Sequence, residues 1–182
     1  MSNLDSLSVS PRYLNVMREQ NPFMSDSLLA DCNYEVEGVA AIIEPLLIAP
    51  QRCQFTSLYV QAVTTGRNTF LATNLVPDQL AQVTPLASSW LIGRSPACAI
   101  IAKHKTVSRC HAVIKQHLSG LWIADIGSSN GTWVNQRRLL PAEQRLLRDG
   151  DVIRFGKLQV EFFLTRFLTE STSIQVANLF QS

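Results

Sequence analysis

Charge is scarce in this chain. Only 16% of its 182 residues are Asp, Glu, Lys or Arg, and the formal net charge is +2. With 46% apolar residues and no low-complexity segment, the composition is that of a globular protein, and full disorder is excluded. Long apolar runs are missing too. The longest, residues 39–49, is interrupted by Glu44 and Pro45 and is too short to span a bilayer. The start, MSNLDSLSVSPRY, has no basic region followed by an apolar core, so no signal peptide is expected. The four cysteines, Cys32, Cys53, Cys98 and Cys110, show neither CxxC nor a metal-ligand spacing. No metal and no cofactor are therefore expected, and the expected setting is a cytoplasm that keeps thiols reduced. Gly-x-Ser-x-Gly and every other nucleophile elbow are absent, as are paired carboxylates at a useful spacing. Neither a helix-turn-helix nor an aromatic stacking ladder is visible.

The charge that is present is divided unevenly. Residues 1–86 carry four arginines against eight acids, and residues 87–182 carry twelve Lys/Arg against six acids. The second half favours an anionic partner.

The first half reads as helical segments punctuated by proline. Ser10 and Pro11 suit an N-cap and a first helical position, opening a helix that Asn21-Pro22 ends near Gln20. Ser25 suits the cap of a second helix reaching Cys32, and Asn33 that of a third from Tyr34 to Glu44, ended or kinked by Pro45. Pro50 would open a fourth stretch, 51–64, whose β-branched and aromatic content makes a strand the alternative. Residues 1–65 are thus expected as a mostly helical extension, 66–168 as a second unit and 169–182 as a tail.

The second unit reads as strands. Segments 69–73 and 83–86 are expected strands around a turn or short helix at 77–80, followed by 90–92, 98–102 and 111–115. Segment 120–126 alternates, with Leu121 and Ile123 on one face and Trp122 and Ala124 on the other. Further strands are expected at 132–135, 139–140, 145–147, 152–155 and 158–164, with a hairpin-like turn at 136–138. Many short strands between turn residues predict a mainly β fold, an antiparallel β-sandwich of about 11 strands with the small helical extension.

The turns carry the chemistry. Gly93-Arg94, Ser108-Arg109-Cys110-His111, Asn130-Gly131-Thr132 and Asn135 occur in that order, with Asp125-Ile126-Gly127-Ser128-Ser129 before the third cluster and Asp149-Gly150-Asp151 near the end. Taken together this pattern resembles the forkhead-associated (FHA) domain of the bacterial type, over roughly 80–100 residues. The resemblance implies a non-catalytic phosphothreonine-peptide binding module or adaptor, serving a Ser/Thr protein kinase whose phosphorylated targets are the partners. It implies that Arg94, Ser108, Arg109, Ser129 and Asn130 bind the phosphopeptide. Gly93, His111, Gly131 and Asn135 would support the binding loops. The chemistry suits these roles: a phosphate monoester is a dianion with three acceptor oxygens. Arg94 offers a planar fork of donors, Ser108 a hydroxyl, and Asn130 an amide for the peptide backbone. Thr106 stands where some relatives have a basic residue selecting an acid three positions after the phosphothreonine, with Lys103 and Lys105 nearby.

Three other readings compete. Ser108, His111 and Asp125, or Cys110 with His111, supply hydrolase residue types, but in an extended strand positions 108 and 110 share a face and 111 does not. The basic second half, with Arg137-Arg138, Arg145, Arg148 and Arg154, would suit a nucleic-acid binder held by phosphate contacts. A structural assembly domain is the blander alternative, and nucleic acid is not the expected partner. Thr165, Thr169 and Thr172 are expected just beyond the last strand, as kinase-accessible positions in the tail.

Overall fold

Along Gly120–Asp125, Leu121 and Ile123 turn into the interior while Trp122 and Ala124 stay half-buried on the other side. The same period of two recurs along the chain and stacks two sheets face to face. The computed structural model describes residues 26–27, 30–33, 36–65, 67–76, 82–84 and 86–167. After some helical residues among 26–31 come helix α1 (Val36–Arg52) and strands β1 (Tyr59–Thr64), β2 (Thr69–Thr73) and β3 (Gln82–Val83). There follow β4 (Ser89–Gly93), β5 (Ile100–Ile101), β6 (Ala112–His117), β7 (Gly120–Asp125) and β8 (Thr132–Val134). The last four are β9 (Arg137–Arg138), β10 (Gln144–Leu146), β11 (Val152–Phe155) and β12 (Leu158–Arg166).

One sheet has the order β3-β2-β1-β12-β11-β8-β9 and the other β10-β7-β6-β4-β5. Trp90, Ile92, Ile114, Ile123, Phe155 and Phe162 lie fully buried between them. Each such side chain contributes about 1.5–3 kcal/mol by leaving water.

The sandwich differs from the expected one in its strand directions. Both sheets are mixed, because β1 runs parallel to β12 and β5 parallel to β4. Alternation sets which face a residue takes and is silent about direction, which the connections decide. There are twelve strands among the described residues, and the additional one is β1. Residues 51–64 therefore split, ending α1 and then forming a strand, so the sheet begins before residue 66. β9 occupies 137–138, where a turn was expected, and 139–140 is not a strand. Thr165 lies within β12, where its hydroxyl accepts a hydrogen bond from Gln61 Nε2 at 3.2 Å.

The helix overturns the expected end at Pro45 and the expected start at Pro50. α1 passes through both Pro45 and Pro50, neither ending at the first nor restarting at the second. Each proline removes a backbone donor, but one face holds Ile42, Ile43, Leu46 and Ala49 at helical spacing. That face packs on Val63, Phe70 and Ala72 and on Tyr59 and Phe163, covering the outer side of β2-β1-β12. Burial of four apolar side chains outweighs the lost bonds. Glu161 fastens the end of the helix by accepting the backbone N–H groups of Gln54, Phe55 and Thr56 at 2.8, 2.7 and 3.0 Å. Arg52 adds a two-toothed bond to Asp149 at 2.8 and 2.7 Å and lies over the Phe163 ring. The expected helix up to residue 20, the turn or short helix at 77–80 and the tail with Thr169 and Thr172 lie outside the described residues.

Candidate functional site

The strands deliver four segments to one end of the sandwich: 94–99 after β4, 102–111 before β6, 126–131 after β7, and the β11–β12 turn at 156–157. Hydrogen bonds knit them together. The Arg94 N–H donates to the Ser108 carbonyl at 2.9 Å and the Ser95 N–H to the Arg109 carbonyl at 3.1 Å. This approach requires glycine before Arg94, because a Cβ on Gly93 would stand 2.1 Å from the Arg109 oxygen. The Ser129 N–H donates to Ser108 Oγ at 3.0 Å, and Asn130 Nδ2 donates to the Thr106 carbonyl at 2.8 Å. Arg94, Ser108, Arg109, Ser129 and Asn130 are thereby brought together.

His111 lies beneath them with no exposed surface. Its Nδ1 accepts the Ser108 backbone N–H at 3.0 Å, so the ring proton sits on Nε2 and is donated to the Gly131 carbonyl, also at 3.0 Å. Phe155 meets the ring edge-on. Burial pushes the His111 pKa below its ordinary value, against the Gly131 bond and the Asp125 charge, which raise it. A neutral imidazole thus joins the loop of Ser108 to the loop of Asn130.

Asp125 builds the second loop. Its Oδ1 accepts the N–H groups of Gly127 and Ser128 at 2.9 and 2.8 Å, and its Oδ2 the hydroxyls of Ser128 and Thr132 at 2.6 and 2.7 Å. Ser128 Oγ in turn accepts the Gly131 N–H at 2.8 Å. Burial raises the Asp125 pKa, yet these four bonds outweigh it and hold the carboxyl below its ordinary value. Gly131, at φ 81°, takes a left-handed conformation that glycine adopts without strain. Asn135 ties the next turn to β11. Its Nδ2 donates to Asp151 Oδ1 at 2.8 Å and its Oδ1 accepts the Val152 N–H at 2.9 Å. The third loop is set by Thr106, whose hydroxyl accepts the Lys157 N–H at 2.8 Å.

The outward groups are those left with capacity. Arg94 and Arg109 are exposed, and among the described residues their guanidinium groups have neither a hydrogen bond nor an ion pair. Ser108 Oγ accepts one bond and keeps its own hydrogen to donate. Asn130 has spent one amide hydrogen on Thr106 and retains the other, with its oxygen. The expected use of both amide groups on a ligand thus applies to one N–H and the oxygen. The arrangement offers cations, a hydroxyl donor and an amide to an anionic ligand. It does not offer a hydrolase pair. Ser108 meets His111 through its backbone and not its hydroxyl, and both ring nitrogens are engaged. Residues 108–110 are loop, so the strand-face reasoning does not apply to them.

Asp125, Ser128, Thr132 and Thr106 organise the loops, and sequence reasoning did not give them that part. The signal for Asp125 was present: an Asp followed by a glycine and a serine favours a turn closed by its own carboxylate. Thr106 carried no such mark, since its partner Lys157 is 51 positions away.

Residues 90–156 match the family model described as FHA domain. Among curated proteins, Protein FraH of Nostoc sp. is 44% identical over 63 residues, 35% of this chain and 22% of FraH. The oxoglutarate dehydrogenase inhibitor of Corynebacterium diphtheriae is 36% identical over 70 residues, 38% of this chain and 47% of that protein. The chain therefore spans less than half the length of either. Two solved structures are also similar. An FHA domain of an Arabidopsis thaliana hypothetical protein is 32% identical, covering 47% of this chain and 75% of that one, with a TM-score of 0.42. The N-terminal FHA domain of S. cerevisiae Rad53p, solved in complex with a phosphothreonine peptide, is 34% identical over 36% of this chain and 53% of its own, with a TM-score of 0.33. Residues 90–156 of this chain are thus an FHA domain. Among the described residues no helix is long and apolar enough to cross a membrane, and no three His, Cys, Asp or Glu side chains cluster as metal ligands do.

Proposed function

We propose that this chain is a phosphothreonine-peptide binding module, an adaptor that recognises proteins phosphorylated by a Ser/Thr kinase and performs no catalysis of its own. One observation carries the reading: among the described residues Arg94 and Arg109 stand without an acid partner beside the Ser108 hydroxyl, on loops locked together from beneath by His111 and Asp125. Preorganised donors cost little to aim at a dianion. Arg94 takes two phosphate oxygens through its fork, Ser108 and Arg109 donate to phosphate as well, and Asn130 and Ser129 hold the peptide backbone. Gly93, His111, Gly131 and Asn135 keep the loops in register. The setting that goes with this reading is the cytoplasm, where thiols such as those of the free cysteines stay reduced. The helical extension has the part of a buttress on the outer sheet.

The test is Arg94→Ala, titrated calorimetrically against a phosphothreonine peptide. Charge-assisted hydrogen bonds contribute about 1.5–3 kcal/mol each. Two of them removed from a micromolar interaction, near −8 kcal/mol, reduce affinity at least a hundredfold. The side chain is exposed, so the melting temperature stays near that of wild type. Unchanged affinity would refute the assignment.

A further inference from the structure

Two thiols lie one behind the other within the loop cluster. Cys98, 5% exposed, closes the segment that begins at Arg94. Cys110, exposed, stands between Arg109 and the buried His111. The Cys98 sulfhydryl donates to the Arg109 carbonyl at 3.2 Å. That carbonyl belongs to the peptide unit leading into Cys110, whose dimensions keep its oxygen about 3 Å from the next Cα. The buried sulfur is therefore no more than about 6 Å from the Cys110 Cα, so a small inward shift of Cys110 lets the two sulfurs meet. Burial raises the pKa of the Cys98 thiol, and the charge and hydrogen bonding of Cys110 raise it further, as expected of neighbouring sulfurs. Gly93 makes the meeting possible, since a Cβ there would stand 3.0 Å from Cys98 Sγ. The other two cysteines are elsewhere: Cys32 packs in the cluster under α1, and Cys53 follows the end of that helix.

The position matters as much as the proximity. The ladder that aligns Arg94 with Ser108 and Ser95 with Arg109 adjoins both cysteines: Ser95 lies three positions before Cys98, and Arg109 directly precedes Cys110. We propose that Cys98 and Cys110 are a redox modification site, forming a reversible disulfide under a hydroperoxide and thereby weakening phosphopeptide binding. The coupling to binding rests on the phosphopeptide reading above; the thiol chemistry does not. The Cys110 thiolate attacks one peroxide oxygen and breaks the O–O bond, giving a sulfenic acid and a hydroxide that takes up a proton as water. The Cys98 sulfur then attacks the Cys110 sulfur. The S–S bond forms, the S–O bond breaks, and the hydroxyl leaves with the Cys98 proton as a second water. Two thiols and one hydrogen peroxide become one disulfide and two waters. A thiol reductant reverses the step by exchange. The disulfide removes the S–H that the Arg109 carbonyl accepts and draws Cys110 inward, moving Arg109 and Ser108 with it.

The test uses the full chain, reduced, then exposed to hydrogen peroxide at low molar excess. Intact mass should fall by two hydrogens, and peptide mapping after alkylation should join Cys98 to Cys110. In Cys98→Ser, Cys110 should instead gain oxygen and climb to the sulfinic acid; in Cys110→Ser, Cys98 should stay reduced. A phosphothreonine peptide chosen by the reduced chain from a library should bind the oxidised chain at least tenfold more weakly, with affinity restored by dithiothreitol. Overoxidation of Cys110 in wild type, or bridging between chains, overturns the site. A clean Cys98–Cys110 bond with unchanged affinity overturns the coupling. A reduced chain that binds no phosphopeptide defeats the functional reading and the coupling with it, and the mass result then decides the thiol pair alone.

Discussion

His111 gives the loop cluster its response to pH. Its folded pKa lies below the ordinary histidine value, chiefly because the ring is buried. Between the two values the unfolded chain binds the extra proton, so stability is fully present above about pH 6.5 and is lost as the pH falls toward the folded value. Thermal melts of the peptide-free chain should be flat from about pH 8 to 7 and then drop below about 6.5. His111→Gln cannot titrate, so it should melt lower at neutral pH but lose this slope. An equally steep slope in the variant would contradict the assignment. Asp125 acts in the same direction at lower pH, since its pKa is also depressed when folded. Its four hydrogen bonds are lost only as the carboxyl protonates, below about pH 4.

Among the elements, α1 departs furthest from the sequence reading, and the reason is instructive. Proline rules are local, and they put a helix end or a kink at Pro45 and a new start at Pro50. The outcome was decided by Val63, Phe70 and Ala72, which lie farther along the chain and offer the helix a surface. Strands fared better, because alternation such as that of Leu121 and Ile123 reports burial directly. β2 and β11 have the expected bounds, whereas the two-residue strands β5 and β9 carry too little pattern to delimit. The site was legible for a similar reason. Gly93-Arg94, Ser108 and Asn130-Gly131 are marked by residue type, while the Asn130–Thr106 and His111–Gly131 contacts cross 24 and 20 positions and leave no local trace. The part given to α1 can be measured. Leu46 is 1% exposed against the outer sheet, and Leu46→Ala should cost about 2–5 kcal/mol in chemical denaturation. Arg94 and Ser108 are not in that cluster, so phosphopeptide affinity of the folded variant should be unchanged. A cost below about 1 kcal/mol would mean that the helix is not a packed layer of the sandwich.

Across the whole molecule, a nearly neutral chain places two arginines unpaired among the described residues, Arg94 and Arg109, where its loops converge. Arg52 is tied to Asp149 and Arg137 to Glu143, while Arg145, Arg148 and Arg166 stand unpaired among the described residues away from these loops. Arg154 and Arg138 lie over the Trp133 ring. Arg94 and Arg109 have no such partner among the described residues, and their loops are held from below by neutral or fully bonded groups. A ligand that brings two negative charges and three acceptors answers this arrangement, and an uncharged hydroxyl does not. The most direct test compares two peptides that differ only in phosphate on one threonine, titrated calorimetrically into the same preparation. The account predicts micromolar binding of the phosphorylated peptide, about −8 kcal/mol, and no measurable heat from its unphosphorylated twin. Equal affinity for the two peptides would contradict it.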